Sequence, residues 1–177
     1  MGDEEILALL RGGDREGAFA EMVRSYGERL YWHIRGFACS HEDADDILQD
    51  VFMKIWNALP GFRGEARLFT WVYRIATNEV LNSIRRRKFR DLFSRISDER
   101  QAVDRLETDP YFNGDEIQRK LLTAVGRLPE KQRLVFVMRY FEEMEYKDIS
   151  EILKTSVGSL KASYHHAGVK KKDEHSK

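Results

Sequence analysis

The sequence predicts an all-α protein made of two small helical domains joined by a linker. Three observations predict it. Apolar residues recur at helical spacing through most of the chain, and an almost complete lack of Val/Thr alternation leaves little room for sheet. Only three prolines interrupt 177 residues, a length that suits one ordinary domain or two small ones. Between about 91 and 114 the periodicity lapses into a charged stretch holding Pro110 and Gly114. The domains are therefore expected at 1–92 and 115–177, with 93–114 between them.

Residues 3–11 read as a short helix closed by "GGD". Residues 15–38 carry Ala18, Phe19, Met22, Val23, Tyr26, Leu30, Ile34 and Phe37, the spacing of a long amphipathic helix. Ser40 suits the cap of a third helix, and the acids in its first turns favour the helix dipole. That helix should bury Ala44, Ile47, Leu48, Val51, Phe52, Ile55 and Leu59 and stop at Pro60 and Gly61. "GFRGEARLF" reads as a loop or a loosely wound turn, and a further helix runs from about Thr70 into "RRRK".

A second helical unit opens at Glu116. Pro129 marks the first position of its next helix, where the missing N–H is harmless. "EKQRLVFVMRYF" supplies Leu134, Val135, Val137, Met138 and Phe141 as core. "EYKDISEILKTSVGSLKASYHH" reads as two short helices broken at "KTS". Tyr146, Ile149, Ile152 and Leu153 face inward on the first; Ser156 caps the second, whose inner face is Val157, Leu160 and Tyr164. Such a pair forms a helix-turn-helix, which makes the C-terminal domain a candidate for the major groove of DNA. Its outward positions are Ser159, Lys161, Ala162, His165 and His166, of which Lys161 alone is permanently charged. A plain helical hairpin fits the same spacing.

The formal net charge is zero, yet the charge is sorted along the chain. Residues 42–50 hold five acids and no base; residues 63–90 hold eight bases against two acids; residues 91–116 hold eight acids against three bases. Five lysines follow residue 160. An acidic face and a basic face on one chain suggest two different partners. A lone cysteine, Cys39, excludes an internal disulfide and fits a reducing cytosol. The acidic start "MGDEEILALL" is unlike a signal peptide, and no apolar run is long enough to span a membrane.

The basic stretch lies beside Phe62, Phe69, Trp71 and Tyr73. Cations that hold phosphate next to rings that stack on bases can grip single-stranded DNA. The plainer reading makes most of these rings core and "RRRK" a solvated helix end. Asn78 stands out, because asparagine is a poor mid-helix residue and its amide could read a base edge. Asp46 and Asp50, one turn apart, could share a hard cation. No histidine stands at a ligand spacing beside them, and His33, Cys39 and His41 look incidental, so acids facing a basic partner is the better reading. No catalytic constellation, metal site or cofactor motif stands out.

These motifs resemble those of bacterial RNA polymerase sigma factors of the extracytoplasmic-function group, over nearly the whole chain. "DADDILQDVFMKIW" is similar to the family's polymerase-binding helix. "FRGEARLFTWVYRIATNEVLNSIRRRK" is similar to its promoter-melting segment, and "LPEKQRLVFVMRYFEEMEYKDISEIL" with "SVGSLKASYHHA" to its second DNA-binding domain. The three occur in the family's order.

The resemblance implies a factor that directs transcription initiation at promoters, with no cofactor and no catalysis of its own. Asp45, Asp46, Gln49, Asp50 and Met53 would meet the β′ clamp of core RNA polymerase, whose β flap is a further contact of the chain. Phe62, Arg63, Gly64, Arg74, Asn78, Arg85, Arg86 and Arg87 would hold the melted −10 strand, with residues 62–68 as the loop that receives a flipped base. Ser159, Lys161, Ala162, His165 and His166 would meet the −35 duplex. Family members act in the cytoplasm without membrane insertion and are commonly held inactive by an anti-sigma factor, a further partner the resemblance allows. One departure is plain: Ser163 and His166 stand where the family's recognition helix usually has arginines, so contact should depend more on Lys161, Tyr164 and the two histidines. A stand-alone helix-turn-helix regulator that ignores polymerase is the alternative.

Overall fold

The computed structural model describes residues 2–38, 40–94 and 116–175, and its regular structure within them is entirely helical. The expected linker 93–114 lies outside the described residues except for its first two positions, and so does Cys39. The chain falls into two compact units, Met1–Ala38 with Glu42–Ile84, and Cys39–His41 with Arg85–Lys177.

The first unit is built from α1 (Asp3–Arg11), α2 (Arg15–Arg35), α3 (His41–Ala58), a 3-10 turn (Leu59–Gly61) and most of α4 (Leu68–Ser94). Asp14 caps α2, its Oδ1 accepting from the Gly17 N–H at 2.8 Å, so α1 and α2 meet at a sharp corner. Gly13 makes that corner at φ 81°, a left-handed conformation that favours glycine. Ile6, Met22, Leu30, Ile34, Val51, Ile55, Val72 and Val80 are fully buried as the core. Each such large side chain contributes about 1.5–3 kcal/mol.

Polar ties fix the helices to one another. The Tyr26 hydroxyl donates to Asp3 Oδ1 at 2.5 Å, joining α1 to α2. Burial, and then this bond, hold the Tyr26 proton well above the usual tyrosine range. The Arg15 guanidinium lies 3.8 Å over the Trp56 ring and donates Nη2 to the Trp56 carbonyl at 2.5 Å, joining α2 to α3. His33 is core after all: fully buried, it sits edge-on to Tyr73 at 5.2 Å, with Nε2 3.1 Å from Thr77 Oγ1 on α4. Lys54 of α3 is paired with Glu79 of α4, whose side chain is buried.

The second unit comprises α5 (Glu116–Gly126), α6 (Glu130–Phe136), a π-helical turn (Val137–Phe141), α7 (Tyr146–Leu153) and α8 (Val157–His175). Pro129 stands one residue earlier than expected: it is the extended cap of α6, with ψ 145°. The π turn is closed by the Glu142 N–H bonding the Val137 carbonyl at 3.2 Å. It corrects the expected core, because Phe141 is 43% exposed while Phe136 is buried. α7 ends on Lys154 in the left-handed conformation (φ 52°). The Ser150 hydroxyl donates to the Thr155 carbonyl at 2.7 Å and holds the break. Ser156 caps α8 as expected, accepting from the Ser159 N–H at 3.2 Å. α8 is longer than the short helix expected, at 19 residues, and Val157 at its start is 37% exposed rather than inward.

Candidate functional site

Each helix turns by about 100° per residue, so exposed positions gather into strips. On α3 the buried side carries Ala44, Ile47, Val51 and Ile55. Asp46, Gln49, Asp50 and Met53, at the i, i+3, i+4 and i+7 positions, form an exposed strip away from it. Met53 is 64% exposed, so the strip has an apolar spot among its acids. Asp45 lies on its flank, half-buried and with a partner of its own within the fold. Lys54, the lysine of this helix, is drawn to Glu79 and does not offset the strip. Two carboxylates, an amide and a thioether in one row suit a basic surface with an apolar contact.

α4 is buried round most of its circumference by Leu68, Val72, Tyr73, Ala76, Thr77, Glu79, Val80 and Ile84. What remains is a narrow strip through Trp71, Arg74, Asn78, Asn82 and Arg85, on which Asn78 and Arg85 are exposed. Beyond Ile84 the helix is exposed on most sides, with Phe89 and Leu92 at 64% and 81% exposure on the line of the strip and Lys88 and Arg90 exposed beside it. Arg74 is half-buried and has a partner within the fold, and Arg86 stands at the strip's edge. Arg87 departs from the expected set. It follows Asn78 by nine residues, about 180° round the helix, and is half-buried there. Glu79 counts as an acid of the basic stretch in sequence, yet it is buried and paired, so the surface is more positive than the tally.

The loop before α4 carries Arg63 and Gly64, both exposed. Gly64 adopts φ 75°, and a side chain at this position would meet nothing within 4 Å of its Cβ, so conformation rather than space calls for glycine. Phe62 leans on Trp71 with ring centres 5.0 Å apart, tying the loop to the first turn of α4. Both residues are half-buried. Phe69 and Tyr73 are 4.6 Å apart with the Arg29 guanidinium 5.2 Å over Phe69, and Tyr73 is core.

On α8, Leu160 and Ala167 are buried, and Lys161, Ala162, His165 and His166 are exposed on the other side; Ser159 stands half-buried at the edge of that face. The helix is backed by rings. Phe136 stacks on Tyr140 at 5.1 Å and on Tyr164 at 5.7 Å, and Tyr164 meets Tyr146 edge-on at 6.5 Å. Tyr146 lies beneath two cations, Arg139 at 5.0 Å and Lys161 at 5.7 Å. Lys131 of α6, absent from the residues singled out in the sequence, donates Nζ to Ser159 Oγ at 3.1 Å. Its sequence signal was nil: the contact joins residues 28 positions apart.

Among the described residues, no group of three or more His, Cys, Asp or Glu is placed to hold a metal ion, and no helix is long and apolar enough to cross a membrane.

The three surfaces fall within two matched family models. Residues 22–90 match sigma-70 region 2, and residues 118–168 match sigma-70 region 4. The chain is 29% identical to the RNA polymerase sigma-H factor of Pseudomonas aeruginosa, over 90% of this chain and 86% of that protein. It is 30% identical to the ECF RNA polymerase sigma factor SigW of Bacillus subtilis, over 88% of this chain and 87% of that one. In fold it is similar to the sigma factor RpoE of Bartonella quintana, solved with the anti-sigma factor NepR, at TM-score 0.70 and 19% identity over 89% of this chain and 96% of that chain. It is likewise similar to CnrH, solved with the cytosolic domain of CnrY, at TM-score 0.68 and 22% identity over 97% and 96%. An acidic helix strip, an Asn/Arg strip and a capped C-terminal helix thus sit on a chain that belongs to the extracytoplasmic-function group of RNA polymerase sigma factors.

Proposed function

We propose that the three exposed surfaces divide the work of a sigma factor that binds core RNA polymerase and directs it to promoters. Residues 1–92 bind the polymerase and open the −10 element, residues 115–177 bind the −35 element, and 93–114 link them. The α3 strip of Asp46, Gln49, Asp50 and Met53 meets a basic surface of the polymerase clamp, with Asp45 at its flank; the C-terminal domain meets the flap. Asn78, Arg85 and the loop at Phe62–Gly64 hold the melted strand, with Arg74 and Arg86 beside them and Arg87 on the far side of the helix. Lys161, Ala162, His165 and His166 face the −35 duplex with Ser159. The chain supplies recognition and is no enzyme, because RNA synthesis belongs to the polymerase, and it works in the cytoplasm. The Bartonella relative was solved with an anti-sigma factor, and a protein of that kind is the further partner.

The observation that carries this reading is the α4 strip. From Leu68 to Ile84 most of the helix is sealed into the core, yet Asn78 is left exposed there, in one row with Arg85 at the start of the exposed basic turns and beside a ring-lined loop. A stand-alone regulator has no use for that row or for the acidic α3 strip, and the family relationship speaks against it. Native-gel binding to purified core polymerase, followed by transcription from a randomised promoter library, tests the reading. Expected is a stable complex that initiates from a defined subset of sequences. A chain that binds duplex DNA but not core polymerase would sink it.

A further inference from the structure

Between Val157 and Gly168 the recognition helix has one permanent positive charge, Lys161. A second ammonium reaches the same helix from outside. Lys131 on α6 is exposed, and its Nζ donates to Ser159 Oγ at 3.1 Å. A hydroxyl has one proton and two lone pairs. With a lone pair taken by Lys131, the Ser159 proton is free to be donated outward, and the ammonium keeps two protons of its own. Ser159 is itself fixed, because its N–H is bonded to Ser156 Oγ at 3.2 Å in the capped first turn of α8. Two donors, one of them charged, therefore lie side by side at the edge of the DNA-facing surface.

We propose that Lys131 and Ser159 form a phosphate clamp on duplex DNA, which sets the register of the recognition helix from outside it. The chemistry selects a phosphate oxygen over a base edge. An ammonium is a strong but geometrically undemanding donor, and a neighbouring hydroxyl adds a second bond to the same oxygen. Phosphate contacts position a protein on DNA without reading sequence. The clamp rests on the assignment of α8 to duplex DNA made above. It supplies charge to a recognition helix that has Ser163 and His166 rather than arginines.

The test uses the holoenzyme and a duplex promoter selected by that holoenzyme from a randomised library. Closed-complex affinity is measured across a range of NaCl concentrations for Lys131→Gln, Ser159→Ala, the double variant and Lys161→Gln. Lys131→Gln should lower the salt slope by about 0.9, the value for one lost duplex phosphate contact. It should weaken binding roughly tenfold, equally for every selected sequence. Ser159→Ala should weaken it less, and the double variant should fall short of the sum, because the two groups act together. An unchanged slope in Lys131→Gln, with Lys161→Gln still lowering it, would overturn the clamp and leave the −35 assignment standing. Unchanged slopes in both would overturn the −35 assignment and the clamp with it. A change in melting temperature alone would mark the bond as structural and overturn its role in binding.

Discussion

Asp50→Lys reverses one charge at the centre of the α3 strip and leaves the core alone. Asp50 is exposed, while its neighbours Val51 and Ile55 are fully buried. Stability should therefore stay within about 0.5 kcal/mol of the wild-type chain, as for surface substitutions in general. Binding should not. Close charge pairs at protein interfaces couple by about 1.5–7 kcal/mol. The exposure of Asp50 puts it at the low end of that range, but reversal removes one attraction and adds one repulsion. About 3 kcal/mol follows, which is roughly 150-fold in Kd. Competition against labelled wild-type chain for core polymerase measures it. The loss should shrink as salt rises, since an exposed pair is screened beyond about 8 Å at physiological ionic strength. Glu28→Lys on α2, also an exposed reversal, is the control and should bind normally. A folded Asp50→Lys chain that competes as well as wild type, in low salt and high, would refute the polymerase assignment of α3.

The α4 strip separates two arginines that look alike in sequence: Arg85→Gln should lower the salt slope of single-strand binding by about 0.7, and Arg87→Gln should leave it unchanged. Equal losses in the two would show that the strip does not define the DNA path. Asn78→Ala should weaken open-complex formation roughly tenfold, the worth of one lost base-edge contact, while closed-complex binding holds. Normal permanganate reactivity of the melted bases in that variant would refute the pocket. Tyr26→Phe removes the bond from α1 to α2 and should lower stability by about 1 kcal/mol at neutral pH. The folded chain holds the Tyr26 proton above the usual tyrosine range, through burial first and the Asp3 bond second. The stability this brings is complete below about pH 10 and is lost as pH rises beyond. Urea melts should thus show a shallower alkaline loss in the phenylalanine variant, and identical losses would count against the buried hydroxyl.

The α3 strip was legible because its pattern is local: residues at i, i+3, i+4 and i+7 share a face in any α-helix. Asp45 belongs to the same acidic run but lies on the flank, where a small rotation decides between partner and solvent. α6 shows where local phase misleads. Its apolar run promises Phe141 as core, but the π turn inserts one residue into the helical count and swings that ring outward. Val157 fails for another reason, since the first residue of a helix has no preceding turn to lie against. The C-terminal reach of α4 was legible only in part. Its basic run looked like an ending, yet no Gly or Pro interrupts residues 85–94, and Arg and Lys are good helix formers, so the helix continues. Lys131 was hidden altogether, because nothing around it marks a contact 28 residues away.

α4 spans 27 residues, a rod about 40 Å long, and from Leu68 to Ile84 most of its circumference is embedded in the fold. One helix is therefore written in two separate alphabets. Letters on the embedded side answer to packing, where removing a few methylenes costs about 2–5 kcal/mol. The exposed letters of the open row, Asn78 and Arg85, answer mainly to whatever molecule arrives. If the row reads promoter DNA as proposed, a lineage that carries this helix can rewrite it and so change its promoters, without renegotiating the interior. The embedded side can drift only in volume-matched steps. Divergent relatives should accordingly keep one spelling and vary the other, and a change in what the row binds is best sought by randomising positions 78 and 85 while holding the rest of the rod fixed.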